Sequence, residues 1–218
     1  MEIPYEKDSK ERLPYEHYLE EYQSADPLEI ASRTGIPYDP SSANFTIRLM
    51  SVTYSVSWPD YVVKHLDHEE MGVFPLEDAY NARILILRYL AEGAAAPAGG
   101  KFLTYREIPW GEVYFRQFQG RCLFRLAYGF GNKIDQFCKI MELLGAKKIS
   151  TGDAGYEFEF VNDLHLQFMI WEGDDEFPPS AQILFSDNFP VAFTMGEDMA
   201  VVGDVSIGII KALGNVVK

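Results

Sequence analysis

Apolar side chains recur along the chain with two different periods, and the period of each stretch predicts its element. Tyr15, Tyr18, Leu19 and Tyr22 fall at i, i+3, i+4 and i+7, with Glu16, Glu20 and Glu21 at other positions, which predicts a surface helix with one aromatic stripe. Residues 1–24 are read as a peripheral N-terminal helical segment of a single domain spanning 1–218. Asp26 before Pro27 predicts a capped start to a second short helix, and Gly35 its stop. Pro37 to Ser42 reads as a loop. The period then changes to two. Phe45, Ile47 and Leu49 alternate with polar residues, and Val52, Tyr54, Val56 and Trp58 alternate in the opposite phase. A two-residue turn at Met50–Ser51 pairs 49 with 52, 47 with 54 and 45 with 56, placing every apolar side chain on one face. The turn residues themselves are poor, since neither takes positive φ readily. Pro59 ends the hairpin.

Pro75 to Glu92 predicts the strongest helix, apolar almost all round at Ile84–Leu87, Tyr89 and Leu90 and so mostly buried. Ala94 to Gly100 breaks it as a loop. Phe115, Phe118, Cys122 and Leu126 follow helical spacing. A further helix is expected to be capped by Asn132, striped by Ile134, Phe137, Cys138, Met141 and Leu144, and stopped by Gly145. Tyr156, Phe158 and Phe160 alternate, as do Leu164, Leu166, Phe168 and Ile170. A plain two-residue turn at Asn162–Asp163 would set Phe158 and Phe160 on the face of Gln167 and His165. An odd-length loop, or a bulge, pairs 158 with 168 and 160 with 166 and reunites the apolar set; the odd loop is the expectation. Ala181, Ile183 and Phe185 give a third strand, and residues 197–213 a closing helix. Strands come in runs, not singly between helices. The class is therefore α+β, with a mainly antiparallel sheet made of an N-terminal hairpin and a C-terminal three-stranded meander packed against several helices.

Composition narrows the function classes. Nineteen Lys and Arg against 33 Asp and Glu give a net charge of −14. This excludes nucleic acid and anionic membranes as expected partners, because both require cationic surface. The charged opening MEIPYEKDSKERL is not a signal peptide, and no run approaches a membrane span, so the expected location is the cytoplasm. Cys122 and Cys138 are too few for an iron–sulfur cluster or structural zinc, and read as small buried hydrophobes. No other cofactor is implied.

Two stretches carry candidate chemistry. Glu172, Asp174, Asp175 and Glu176 form a tight carboxylate run between two strands. Such a run is ordinarily a solvated loop; its chemical alternative is an oxygen-ligand site for Mg²⁺ or Ca²⁺. Thr104–Arg125 gathers Arg106, Arg116, Arg121 and Arg125 beside Tyr105, Trp110 and Tyr114, a pattern suited to a carboxylate or phosphate. The alternative is internal pairing with Glu107, Glu112 or the acidic loop. If the two stretches meet, Tyr105, Arg106, Trp110, Arg116, Asp174, Asp175 and Glu176 form a polar seam that would bind a ligand or partner. His65, Asp67, His68, Glu69 and Glu70 lack a metal-ligand pattern and read as a solvated segment. The chain holds no G-x-S-x-G, G-x-G-x-x-G, Walker or C-x-x-C motif.

Several ordered segments resemble one family: ILILRYL (84–90), FLTYREIPWGEVYFRQF (102–118), LLGAKKISTGDAGYEF (143–158) and WEGDDEFPPSAQILFSD (171–187). The chain resembles the domain of unknown function 3786 over most of residues 25–213. That resemblance implies a bacterial or archaeal protein, largely of anaerobes. It implies no activity and no site residues. Some members carry the domain behind an iron–sulfur cluster domain, whose cysteines this chain lacks. The expected function is a binding or accessory protein for a small anionic ligand or a protein partner. The alternative is a divalent-cation-dependent, hydrolase-like enzyme using residues 172–176, and a third reading is a purely structural subunit.

Overall fold

The computed structural model describes residues 11–217. Its elements in chain order are α1 (Arg12–Ser24), α2 (Pro27–Thr34), β1 (Tyr38–Asp39), β2 (Asn44–Leu49), β3 (Val52–Ser57), β4 (Val63–His65), α3 (Pro75–Asp78), α4 (Tyr80–Glu92) and β5 (Phe102–Thr104). After these come α5 (Gly111–Phe118), α6 (Phe124–Phe130), α7 (Ile134–Leu143), β6 (Lys147–Lys148), β7 (Ala154–Val161), β8 (Leu164–Trp171), β9 (Ser180–Ser186), α8 (Phe189–Ala192) and α9 (Gly196–Leu213). Part of the expected N-terminal segment lies outside the described residues. Within them α1 is anchored, because Tyr22 is buried and donates its hydroxyl to the Ser57 carbonyl at 3.0 Å.

The fold is α+β, and every recorded strand pairing is antiparallel. The strands run β4-β3-β2-β7-β8-β9-β5, with β1 on β2 and β6 on β7. One face is apolar and lies under the helices: Phe45, Ile47 and Leu49, Val52, Tyr54 and Val56, and Phe158, Leu166, Phe168, Ile183 and Phe185 are all buried. Arg48, Glu157, Glu159, His165 and Gln167 alternate with these and take the opposite face. Helices α4 and α9 carry much of the core, with Leu85–Leu87 and Leu90 against Met199, Val202 and Ile210.

The hairpin takes the register read from its pattern, with Leu49 opposite Val52 and Phe45 opposite Val56. Met50 and Ser51 both adopt positive φ, 45° and 74°, despite their poor turn chemistry. Tertiary contacts hold them there. Met50 is buried and donates its N–H to the Phe160 carbonyl at 2.8 Å, while the Ser51 hydroxyl reaches the Leu144 carbonyl.

The β7–β8 connection corrects the odd loop. The turn remains the two residues Asn162 and Asp163, at φ 33° and 66°, a conformation these two side chains tolerate. A bulge between Glu159 and Val161 absorbs the parity instead, and Phe158 pairs with Leu166, not with residue 168. Phe160 and Val161 are consecutive, yet both are buried. Several smaller expectations also change. The helix from Pro75 is interrupted at Ala79, which is extended (φ −111°, ψ 114°) and divides α3 from α4. Lys133, not Asn132, occupies the N-cap of α7, without a side-chain cap. Cys138 is only half buried, whereas Cys122 is fully enclosed. A π-helical turn at Gln119–Leu123 joins α5 to α6 in one long helical stretch.

Candidate functional site

The arginine-rich segment folds around Tyr105. This ring was a candidate ligand contact, but it is 1% exposed. It stacks on Phe118 at 3.8 Å between centroids, and its hydroxyl donates to the Gly196 carbonyl at the start of α9. Burial raises its phenol above the ordinary value. Tyr105 therefore locks α5 to α9 and does not face solvent. Arg106 lies over the Phe115 ring at 4.0 Å, with Glu112 at 3.6 Å, and borders a shallow depression of about 170 Å³ that includes Gln182. Trp110 and Arg116 are exposed. Internal pairing does occur: Arg106 pairs with the expected Glu112, whereas Arg121 and Arg125 pair with Asp204 of α9, an acid not among those expected. Glu107 caps its own turn through Thr104.

The acidic loop organises itself without convergence. Asp174 accepts from the N–H groups of Glu176 and Phe177 at 2.8 and 2.7 Å, and these bonds lower its carboxyl pKa. Glu172, Asp175 and Glu176 are exposed. Among the described residues no ion pair joins residues 172–176 to an arginine, and no three His, Cys, Asp or Glu side chains form a metal-binding group. No hydrogen bond or ion pair among the described residues joins the two stretches into the expected seam. The His65–Glu70 segment is tied to its neighbours in the fold, not to a metal-ligand set: His65 bonds Glu77 at 2.8 Å and Asp67 accepts from the Thr53 N–H at 2.7 Å.

A larger site lies where the hairpin meets the meander. The Phe160 bulge presents its carbonyl to Met50, Asn162 exchanges hydrogen bonds with the Arg48 backbone, and Leu49 faces Val161. This junction forms one wall of a cavity of about 580 Å³, within the range of small-molecule pockets. The opposite wall is the loop 95–98 and the end of α2 at Thr34–Gly35, with Tyr89 and Asn188 between.

The walls are firmly tied. Ala95 N–H donates to the Arg33 carbonyl at 2.8 Å, and the Arg33 guanidinium binds the carbonyls of Leu90, Ala91 and Gly93 at the end of α4. Asp187 accepts from Gly99 and Lys101. Asn188 donates to the carbonyls of Ala96 and Asp163, each at 3.2 Å, and accepts from Ser186 at 2.6 Å; Ser186 in turn accepts from the His165 N–H at 3.0 Å. The Tyr89 phenol, pushed up to about 12 by burial, donates to the Thr34 carbonyl.

Arg48 brings a guanidinium and His165 an imidazole to this lining, and Asp163 is its acid. Arg48 binds Glu159 through Nε (3.1 Å) and Nη2 (2.6 Å), leaving Nη1 without a hydrogen bond among the described residues. Burial acts to raise the Glu159 carboxyl, but Arg48 and the Asp163 N–H outweigh it and hold it below its ordinary value. The imidazole nitrogens of His165 also make no hydrogen bond among the described residues. Neither residue stood out in the sequence: Arg48 read as the polar half of a strand and His165 likewise. The signal that could have found them is the parity break at Phe160, which marks where a regular ladder gives way to a special junction.

A second polar cleft, about 460 Å³, lies between α1, α4 and α9. There Arg88 pairs with the buried Asp198 and with Glu92 at 3.0 Å, and stands 5.5 Å from the Tyr18 ring centroid. Burial pushes the Asp198 carboxyl up to about 6, against the opposing pull of Arg88. The Arg88–Asp198 pair joins α4 to α9 as a structural clamp, while Glu197, also in the lining, makes no ion pair recorded among the described residues.

No helix among the described residues is long and apolar enough to cross a membrane. No curated protein and no solved structure matches the chain. A family model described as Domain of unknown function (DUF3786) matches residues 26–208, taking in the hairpin, the meander, the arginine-rich segment and the junction cavity. With most of its length matched, the chain belongs to the DUF3786 family.

Proposed function

We propose that this protein is a binding or accessory protein whose ligand is a small polar molecule bearing a carboxylate or phosphate, seated in the cavity between the hairpin and the meander. One observation carries the reading. Arg48 and His165 both line the cavity and retain unbonded donor positions, while the lining groups around them are hydrogen-bonded to one another. An arginine fork beside an imidazole suits an oxyanion, and a preformed wall lowers the ordering cost of binding. The same proposal places the protein in the cytoplasm, away from nucleic acid and membrane surfaces, on the strength of its net charge of −14.

The test is a thermal-shift series with inorganic phosphate, sugar phosphates, nucleotides and di- and tricarboxylates, repeated on His165→Gln and Arg48→Gln. The reading expects concentration-dependent stabilisation by at least one phosphate or carboxylate class, lost in both variants. Stabilisation that survives both substitutions, or none from any class, overturns it.

A further inference from the structure

A separate cavity, of about 400 Å³, opens between α9 and residues 72–82 around α3. It is cut into the core: Ala82 of α4 and Val205 and Ile209 of α9 line it, and each is buried. Val73, Phe74 and Ala79 complete its apolar lining, Ala79 at the point where the chain turns extended between α3 and α4. The Phe74 wall is preformed. Its ring stacks on His65 at 3.7 Å between centroids, and His65 is held by Glu77 at 2.8 Å. An apolar recess of this volume with few polar groups is the usual form of a small-molecule site.

Gly208 gives the recess its space. It lies in the interior of α9, where glycine is among the least favourable residues. A close helix contact or a left-handed backbone would account for it, and neither is found. A Cβ at Gly208 would meet no atom within 4 Å among the described residues, and its φ is not positive. Gly203 of the same helix differs: a Cβ there would come 2.9 Å from the Cys122 sulfur, so packing explains it. What Gly208 provides is open room in the cavity lining. The polar side chains of that lining are Asp78 and Asn81, both exposed and so at its mouth, and no lysine or arginine belongs to it. Asn81 uses its Oδ1 on the Ala82 N–H at 2.9 Å. Asp78 makes no ion pair or side-chain hydrogen bond among the described residues, so its carboxylate is the free acceptor.

We infer that this cavity binds a small hydrophobic amine, its apolar body in the room beside Gly208 against Phe74, Val205 and Ile209, and its ammonium at Asp78. A carboxylate without a cationic partner, beside buried apolar walls, suits a charge-assisted bond to an ammonium on an apolar body. The same carboxylate repels an oxyanion, and the site shares no lining residue with the junction cavity.

Isothermal titration calorimetry on the full chain with phenethylamine, tryptamine and hexylamine, against phenylacetate, indole-3-acetate and hexanoate, tests it. At least one amine should bind saturably, and roughly fivefold or more tighter than its carboxylate counterpart. Gly208→Leu fills the room and should abolish amine binding while leaving the melting temperature unchanged or raised. Asp78→Asn should weaken amine binding roughly fivefold and remove the preference over the carboxylate. Binding of none of the amines overturns the inference, as does equal or tighter binding of the carboxylates. Amine binding that survives Gly208→Leu, or is unchanged by Asp78→Asn, also overturns it. So does a wild-type dimer that Gly208→Leu disperses in sedimentation velocity, which would assign the recess to a second copy of the chain.

Discussion

Leu49 of β2 faces Val161 of β7, and among the described residues this is the one register pair joining the N-terminal hairpin to the C-terminal meander. So narrow a join needs reinforcement. It comes from Met50 N–H on the Phe160 carbonyl and from the Arg48–Glu159 fork on the polar face. Glu159→Gln should therefore cost about 1 kcal/mol, a modest value because Arg48 is partly solvent-exposed. Phe160→Ala should cost about 3–5 kcal/mol, since it empties a fully buried ring from the bulge. Urea denaturation of both variants checks the ordering; equal losses would mean that the junction is not held this way.

Trp110 and Gly111 divide one tight corner between them. Trp110 takes a left-handed conformation (φ 64°) with its ring in solvent, while a Cβ on Gly111 would collide with the Tyr105 carbonyl oxygen. Trp110→Gly should leave the protein as stable or about 1 kcal/mol more stable, by relieving the left-handed cost. Gly111→Ala should destabilise it by about 2 kcal/mol or more, because the obstruction is backbone and cannot swing aside. Thermal melts of the two variants separate these effects.

The Asp198 carboxyl gives a signed pH prediction. Burial holds its folded carboxyl up at about 6, above the ordinary aspartate value of 3.8. The folded state therefore binds this proton more tightly than the unfolded chain. The associated stability is fully present below about 4 and is lost as pH rises through 6. Other carboxylates, such as Glu159, are shifted downward and act in the opposite direction, so the informative quantity is a difference. Relative to Asp198→Asn, the wild type should gain on the order of 2 kcal/mol as pH falls from about 7 to about 4. A difference that is flat with pH would contradict the assignment.

Cys122 should be inert. It is fully buried, donates to the Ala200 carbonyl at 3.3 Å, and burial pushes its thiol up to about 12. Alkylation followed by peptide mapping should find Cys122 unmodified in the folded protein at pH 8 and modified after denaturation. Modification at the rate of a free thiol would contradict its burial.

The contrast between strands and site shows what pattern can convey. The hairpin register was legible because period-two alternation leaves one arrangement that buries Phe45, Ile47, Leu49, Val52, Tyr54 and Val56 together. That same parity revealed an irregularity near Phe160 but not its form, since a bulge and an odd loop both restore the apolar face; the turn preference of Asn162–Asp163 selects the bulge. Helix ends at Ala79 and Lys133 departed from local cues because tertiary packing, not capping, sets them. The cavity was not legible. It is assembled from β2, the β7–β8 turn, the end of α2 and the 95–98 loop, and no local spacing records that these meet. Tyr105 shows the converse error: an aromatic beside arginines resembles a ligand contact, yet its ring is needed to fill the space between Phe118 and Phe185.

The most direct test of the proposed binding function is an NMR titration that follows the His165 ring. The chain has four histidines, so the imidazole signals are few enough to assign by substitution. Added phosphate, sugar phosphates or dicarboxylates should shift the His165 ring and Arg48 Nε signals together and saturably, with Arg106 and Arg116 unchanged. Saturable shifts confined to Arg106 and Arg116, or no shift at His165 with any of these compounds, would contradict the account.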